Sequence, residues 1–170
     1  RLPLGDLLTQ WAATCAPSGP IQPIIVAISG GATRAGIWGA DAVALQGLRV
    51  PELSEPIQAG IKALMPSYGT ARNPIDVTAQ GVTSGGLQKS VDLLTVSDEV
   101  DAILVVLSLS SEVRKPFKDE ELGPVLSAQH KPVVFYSYTV PSDFARRELA
   151  KSGVVVLSGL TFVGTAMRQL

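Results

Sequence analysis

A chain of 170 residues, 46% of them hydrophobic, has the size and apolar content of one globular domain and is too apolar for a disordered segment. Its formal net charge of −1 argues against a broad basic face for nucleic acid. The longest apolar runs, such as Ala102–Leu107, are far too short to span a bilayer, and no basic segment followed by an apolar one opens the chain as a secretion signal does.

In chain order, Arg1–Thr14 is weakly amphipathic, with Leu4, Leu7, Leu8 and Trp11 at helical spacing. Ala16–Pro23 holds three prolines and a glycine and reads as a linker. The expected organisation is therefore an N-terminal helix with a Pro-rich linker over 1–23 and one domain over 24–170. The single cysteine, Cys15, leaves no internal disulfide and fits a reducing cytoplasm. The sequence starts at Arg1 and stops inside a predicted helix, so it reads as a piece of a longer protein.

From Ile24 onward short apolar strands alternate with helical stretches. Strands are predicted at Ile24–Ile28, Ala102–Leu107, Pro132–Tyr136 and Val154–Leu157, with a weaker one around Ala71–Val77, interrupted by Pro74. Helices are predicted at Thr33–Leu45, Glu55–Leu64, Gly86–Thr95, Asp119–Gln129, Asp143–Lys151 and Leu160–Leu170. The strands are continuously apolar, as expected when helices cover both faces of a parallel sheet. The pattern predicts an α/β fold: a flavodoxin-like, doubly wound parallel sheet of about five strands in three α/β/α layers. Trp38, at helical spacing with Ala42 and Leu45, is assigned to the core rather than to cofactor stacking.

Ligands of such folds sit beyond the carboxyl ends of the strands. That directs attention to the loops Ser29–Arg34, Asn73–Gln80 and Ser108–Phe117. The first is the most informative. An apolar strand stops at Ser29-Gly30-Gly31, and a helix follows. A helix N-terminus carries free N–H groups and partial positive charge, and glycine lets an anion approach the backbone. The segment is a candidate anion cradle.

Several chemistries lack their residues. There is no Gly-Lys-Ser/Thr for a P-loop, Gly30, Gly31 and Gly36 do not form a dinucleotide fingerprint, and no Gly-x-Ser-x-Gly elbow occurs. Cys15 and His130 are single and far apart, so no zinc site is assigned. His130 falls at a predicted helix end, favoured there by the dipole, and on the face opposite the ligand crevice. Arg114 and Lys115 read as a solvated pair, Asp119–Glu121 as the acidic first turn of a helix, and Ser108, Ser110 and Ser111 as loop polars. No catalytic residue is assigned within this chain.

Three segments carry a resemblance. Ser29-Gly30-Gly31 leads a helix with Gly39-Ala40-Asp41-Ala42; Gly47-Leu48 to Pro51-Glu52-Leu53-Ser54 follows; then come Ala71-Arg72-Asn73-Pro74-Ile75-Asp76-Val77-Thr78 and Val100-Asp101-Ala102-Ile103-Leu104-Val105. This order resembles the NDP-forming acyl-CoA synthetases, relatives of succinyl-CoA synthetase, and in them the ligase-type flavodoxin-like domain that follows the phosphohistidine domain in fused chains. The resemblance covers Ile24 to the end. The Asn-Pro-Ile-Asp-Val-Thr stretch is its most specific part.

The resemblance implies the reaction acid + CoA + NTP giving acyl-CoA + NDP + phosphate, through an acyl phosphate and a phosphohistidine. It implies that CoA, ATP or GTP and Mg are bound by companion CoA-binding, phosphohistidine and ATP-grasp domains, with a small organic acid as substrate. This domain would contribute the helix N-terminus at Ser29, Gly30, Gly31 and Ala32, with Asn73 and Asp76 shaping the neighbouring loop. A homodimer is a further expectation. The family often has small residues where Arg34 stands, so Arg34 is included among the anion-binding candidates and as a residue that alters substrate choice. Two other readings stay open: a non-catalytic binding or assembly module on the same fold, and a flavin electron-transfer domain, whose usual Ser/Thr-rich phosphate loop is missing.

Overall fold

The computed structural model describes residues 23–27, 33–113, 131–154 and 156–169. Five strands form one parallel sheet: β1 (Pro23–Ala27), β2 (Ile75–Asp76), β3 (Ala102–Leu107), β4 (Val133–Ser137) and β5 (Val156–Leu157), in the order β2-β1-β3-β4-β5. That is the flavodoxin-like order expected from the sequence. The described helices are α1 (Thr33–Ala44), α2 (Glu55–Lys62), α3 (Thr78–Thr83), α4 (Gly86–Thr95), α5 (Asp143–Lys151) and α6 (Leu160–Arg168). The predicted N-terminal helix and the predicted helix Asp119–Gln129 lie outside the described residues. No described helix is long and apolar enough to cross a membrane.

Successive residues of a strand point to opposite faces, so a strand covered on both sides needs apolar residues throughout. In β3, Ile103, Val105 and Leu107 join Val133 and Phe135 of β4 on one face. Ile61 of α2, Leu87, Val91 and Leu94 of α4, and Ala145 and Leu149 of α5 cover that face. Ala102, Leu104 and Val106 join Val134 and Tyr136 on the other, under Ala35 and Val43 of α1 and Val163, Ala166 and Met167 of α6. Each fully buried Leu, Ile or Phe contributes about 1.5–3 kcal/mol, so these two layers hold the sheet. Burial also pushes the Tyr136 phenol upward.

Local signals set several boundaries. Ser142 caps α5 by accepting the Ala145 N–H at 3.0 Å, with Asp143 in the first turn and Lys151 in the last. Gly85, at φ +80, supplies the left-handed residue before α4. At α2, Ser54 stands at the N-cap position but its hydroxyl makes no capping hydrogen bond. Both the Ser54 N–H, at 2.8 Å, and the hydroxyl donate to Glu99, tying the start of α2 to the loop before β3. Those hydrogen bonds hold the Glu99 carboxyl below the usual glutamate range.

The folded pKa of Glu99 is depressed, so its stabilisation is present above the unfolded glutamate value and disappears as pH falls through the folded one. Because Glu99 is well solvated, the contribution is below about 1 kcal/mol. Glu99→Gln is expected to lose that amount at pH 7 and to flatten the acid limb of stability, read by urea unfolding between neutral and acidic pH.

The structure corrects one assignment. Trp38 is 53% exposed and Leu45 84% exposed, so neither belongs to the core. The buried line of α1 is instead Ala35, Gly36, Gly39 and Val43. The reason is the close approach of α6: a Cβ built on Gly164 would lie 2.4 Å from the Ala42 carbonyl oxygen. Helices that close admit only small residues between them, and the large apolar residues of α1 are turned outward. A second difference is α3, which begins within the predicted loop Asn73–Gln80. Thr78-Ala-Gln-Gly-Val-Thr83 has weak helix propensity, so its helix depends on tertiary contacts.

Candidate functional site

The strand register aligns the carboxyl ends of the sheet. Asp76, Ala27, Val106, Tyr136 and Leu157 lie in one row across all five strands. The order of strands reverses around β1 and β3, which makes this edge the ligand-binding crevice of the fold. The N-terminus of α1 comes down on the same edge.

Asp76 fixes that approach. One carboxylate oxygen accepts the hydroxyl of Thr33, the first residue of α1. The other accepts the Thr78 N–H at 2.9 Å. One side chain thus links the start of α1 to the start of α3. Its main chain is held as well: Asp76 N–H donates to the Thr70 carbonyl at 2.9 Å, and Thr70 N–H donates back at 3.1 Å. This tight return needs Gly69, whose Cβ would come 2.9 Å from the Asp76 carbonyl oxygen.

Thr78 pays a conformational cost: φ is +68, in the left-handed region that β-branched residues avoid. Two contacts offset it. Its N–H reaches Asp76, and its hydroxyl accepts the Gly81 N–H at 3.3 Å while buried. Thr78→Val keeps the strain and loses the acceptor, and is expected to cost about 1 kcal/mol in urea unfolding. Thr78→Asn, which tolerates φ > 0 and retains an acceptor, is expected to be at least as stable as the parent.

The remaining predicted residues fall as follows. Asn73 donates its side-chain amide to the Pro51 carbonyl at 3.0 Å, which ties its loop to the segment before α2. The Asn73–Pro74 peptide bond is cis. Arg34 is exposed in the first turn of α1. Ser29, Gly30, Gly31 and Ala32 lie outside the described residues, as do Arg114, Lys115 and His130.

A hydroxyl cluster, treated as plain loop polars in the sequence, closes the neighbouring part of the edge. Ser108, just after β3, is 3.1 Å from the Thr139 hydroxyl and 3.3 Å from the Ser110 hydroxyl. Ser137, the last residue of β4, accepts the Leu109 N–H at 3.3 Å and donates to the Thr139 carbonyl at 2.8 Å. Ser142 donates to the Ser111 carbonyl at 2.7 Å. These bonds tie the ends of β3 and β4 together. Among the described residues the edge carries these hydroxyls, the Asp76 carboxylate, which already accepts at both oxygens, and the exposed Glu112 in the loop after β3. That set suits binding and positioning more than proton transfer.

Comparison with known proteins agrees with this architecture. The model of the Ligase-CoA domain family matches residues 25–121, more than half of the chain. The chain belongs to the Ligase-CoA domain family, which bears out its resemblance to the ligase-type domain of NDP-forming acyl-CoA synthetases. Among solved structures, the dinucleotide forming acetyl-coenzyme A synthetase 1 of Ca. Korarchaeum cryptofilum, in complex with phosphate and ADP, superposes with a TM-score of 0.71 at 19% identity, over 99% of this chain and 37% of that one. Its apo form gives 0.66 at 18% identity, over 98% and 37%. The PH0766 protein of Pyrococcus horikoshii OT3 gives 0.70 at 21% identity, over 87% and 36%. These likenesses show the shared fold, and the chain spans little more than a third of each of those proteins. No curated protein sequence matches this chain.

Proposed function

We propose that this chain is the ligase-type domain of an NDP-forming acyl-CoA synthetase. In this reading the turn Ser29, Gly30, Gly31 and Ala32 and the N-terminus of α1 hold the phosphohistidine or the acyl phosphate. Arg34 adds positive charge from the first turn, and Asn73 and Asp76 fix the loop beside it. The phosphorylated histidine, CoA, ATP or GTP with Mg, and the acid are brought by companion domains. The observation that carries the reading is the Asp76 link, which sets the start of α1 on the carboxyl edge of a Ligase-CoA domain. A dianionic phosphoryl group needs preorganised N–H donors more than it needs a base, and a helix N-terminus supplies them.

The test is the reaction of the full-length protein with short acids, CoA and ATP or GTP. The expected result is acyl-CoA, NDP and phosphate in equal amounts, with a histidine outside this chain labelled by the γ-phosphoryl group. Release of AMP, or no labelled histidine, would sink the reading. Arg34→Ala is expected to weaken phosphate binding severalfold, in line with about 0.3–1 kcal/mol for a charge at a helix terminus, as measured by calorimetry.

A second reading, a non-catalytic binding module, draws on the hydroxyl-rich make-up of this edge, where the Asp76 carboxylate is already engaged at both oxygens. It predicts phosphate binding by the chain with no acyl-CoA synthesis by the full-length protein.

A further inference from the structure

At the carboxyl ends of β3 and β4 the hydroxyls of Ser137, Thr139, Ser108 and Ser110 form a chain. Ser137 donates to the Thr139 carbonyl at 2.8 Å. The Thr139 hydroxyl lies 3.3 Å from that of Ser137 and 3.1 Å from that of Ser108, which lies 3.3 Å from that of Ser110. Each hydroxyl has one proton and two lone pairs, so the chain has two polarities. With Thr139 donating to Ser137, Ser108 donates to Thr139 and Ser110 to Ser108, and Ser110 faces outward as an acceptor. With Thr139 donating to Ser108, Ser108 donates to Ser110, whose own O–H then points outward. Only hydroxyl rotations separate the two. Ser108 and Ser110 are exposed and Thr139 is half-buried, so the outer end of the chain is open to a ligand.

Such an end matches a group that both donates and accepts, as a hydroxyl does. It matches an anion poorly. The described parts of the two loops, 108–113 and 138–142, hold no lysine or arginine. The charges that flank them are the exposed carboxylates Glu112 and Asp143, the second brought beside the β3 loop by the Ser142 bond to the Ser111 carbonyl.

The position of the chain sets the length of the ligand. Ser108 is two residues past Val106, which pairs with Ala27 at the end of β1. Ala27 pairs on its other side with Asp76, which holds the start of α1. Adjacent strands stand about 4.8 Å apart, so the hydroxyls lie about 5–10 Å across the edge from the end of β1. A ligand in the crevice between β1 and β3 touches the loops after both strands. A short acid spans that gap. With its carboxylate at the start of α1, in line with the phosphoryl group it attacks, a hydroxyl on its third or fourth carbon reaches Ser110.

We propose that Ser108, Ser110 and Thr139 form the subsite for the hydroxyl group of a short hydroxy acid, which is the acid this domain selects. The inference rests on the proposed reaction and names its substrate class. Ser110 touches the substrate hydroxyl, and Ser108 and Thr139 set the polarity of the chain behind it.

The test compares acids of equal length with the full-length protein, CoA and ATP or GTP, read as kcat/KM. In at least one of two pairs, 3-hydroxypropionate against propionate and 4-hydroxybutyrate against butyrate, the hydroxy acid is expected to be used about 3- to 10-fold better, in line with one neutral hydrogen bond. Malonate, which places a second anion at the same distance as 3-hydroxypropionate, is expected to be used less well than it. Ser110→Ala is expected to bring the preferred pair's ratio close to one, chiefly by raising KM for the hydroxy acid, and Ser110→Thr, which restores a hydroxyl, to keep the preference. A merely structural role for Ser110 would change both acids of a pair alike and leave their ratio where it was. Unsubstituted acids used as well as the hydroxy acids in both pairs overturn the inference while the proposed reaction stands. So do malonate used as well as 3-hydroxypropionate and a preference that survives Ser110→Ala. Acyl-CoA from none of these acids sinks the proposed reaction and the inference with it.

Discussion

Gly164→Ala is expected to destabilise the domain by about 1–3 kcal/mol, whereas Gly60→Ala in α2 is expected to be neutral or stabilising. Both glycines sit inside helices, where alanine gains up to about 1 kcal/mol in propensity. What differs is the obstacle. The added methyl at 164 would meet the Ala42 carbonyl oxygen at 2.4 Å and its carbon at 3.1 Å, both backbone of α1. Relief requires α1 and α6 to separate, which opens the layer formed by Val43, Val163 and Met167. At 60 the methyl would meet only the tip of Leu93, at 2.8 Å, and a leucine rotamer moves at small cost. Thermal unfolding separates the two: for a chain of this size 1 kcal/mol corresponds to about 2–4 °C in Tm. Equal effects at both sites would mean that α1 and α6 are not in close contact.

Asp76→Ala is expected to have the largest functional effect of any single change on the carboxyl edge. It leaves the Thr33 hydroxyl and the Thr78 N–H without their acceptor. Hydrogen bonds to a charged group contribute about 1.5–3 kcal/mol each when buried. Asp76 is half-buried, so about 2 kcal/mol in total is the expected loss, measured by urea unfolding. Under the proposed function the larger consequence is positional. The start of α1 loses its link to β2, and a shift of about 1 Å in a binding group is worth on the order of 10²-fold in rate. Asp76→Asn, which keeps one acceptor oxygen, should fall between the parent and alanine in acyl-CoA synthesis. The outcome is diagnostic because charge alone predicts the reverse. Were Asp76 merely a negative charge near an anion site, both substitutions would strengthen phosphate binding. Stronger binding in Asp76→Ala would therefore refute its role as a strut.

Lys131 gives a smaller, separable case. Its ammonium donates to the Ser97 carbonyl, and burial pulls its pKa down against the opposing pull of Asp98 and Asp101. Desolvation wins because the lysine is partly enclosed where β4 begins.

All five strands, and every described helix except α3, were legible in the sequence. Ala102–Leu107 was read with its observed bounds because six apolar residues between charged and polar neighbours admit little else. Gly86–Thr95 and Asp143–Lys151 were also read as found, since each starts at a clear local signal, Gly85 and Ser142. Trp38 was misplaced because helical spacing reveals which residues share a face but not which face turns inward. That choice was made by Gly164 on a helix over a hundred residues away. The site was legible in outline: Asp76 and Asn73 were named. Their partners Thr33 and Pro51 were not, because nothing local pairs a residue with one 43 or 22 positions off. The Asp76-Val77-Thr78 spacing was a signal for the local turn, since an aspartate readily bonds the N–H two residues on.

The sequence by itself determined the parallel α/β class, because strands covered on both sides must be apolar throughout, and it carried the family in the Ser-Gly-Gly turn and the Asn-Pro-Ile-Asp-Val-Thr stretch. Only the tertiary structure decided that Asp76 joins α1 to α3, and that α1 presents Trp38 to the outside. Both outcomes depend on contacts between distant parts of the chain, and periodicity along the chain cannot encode which distant backbone comes close.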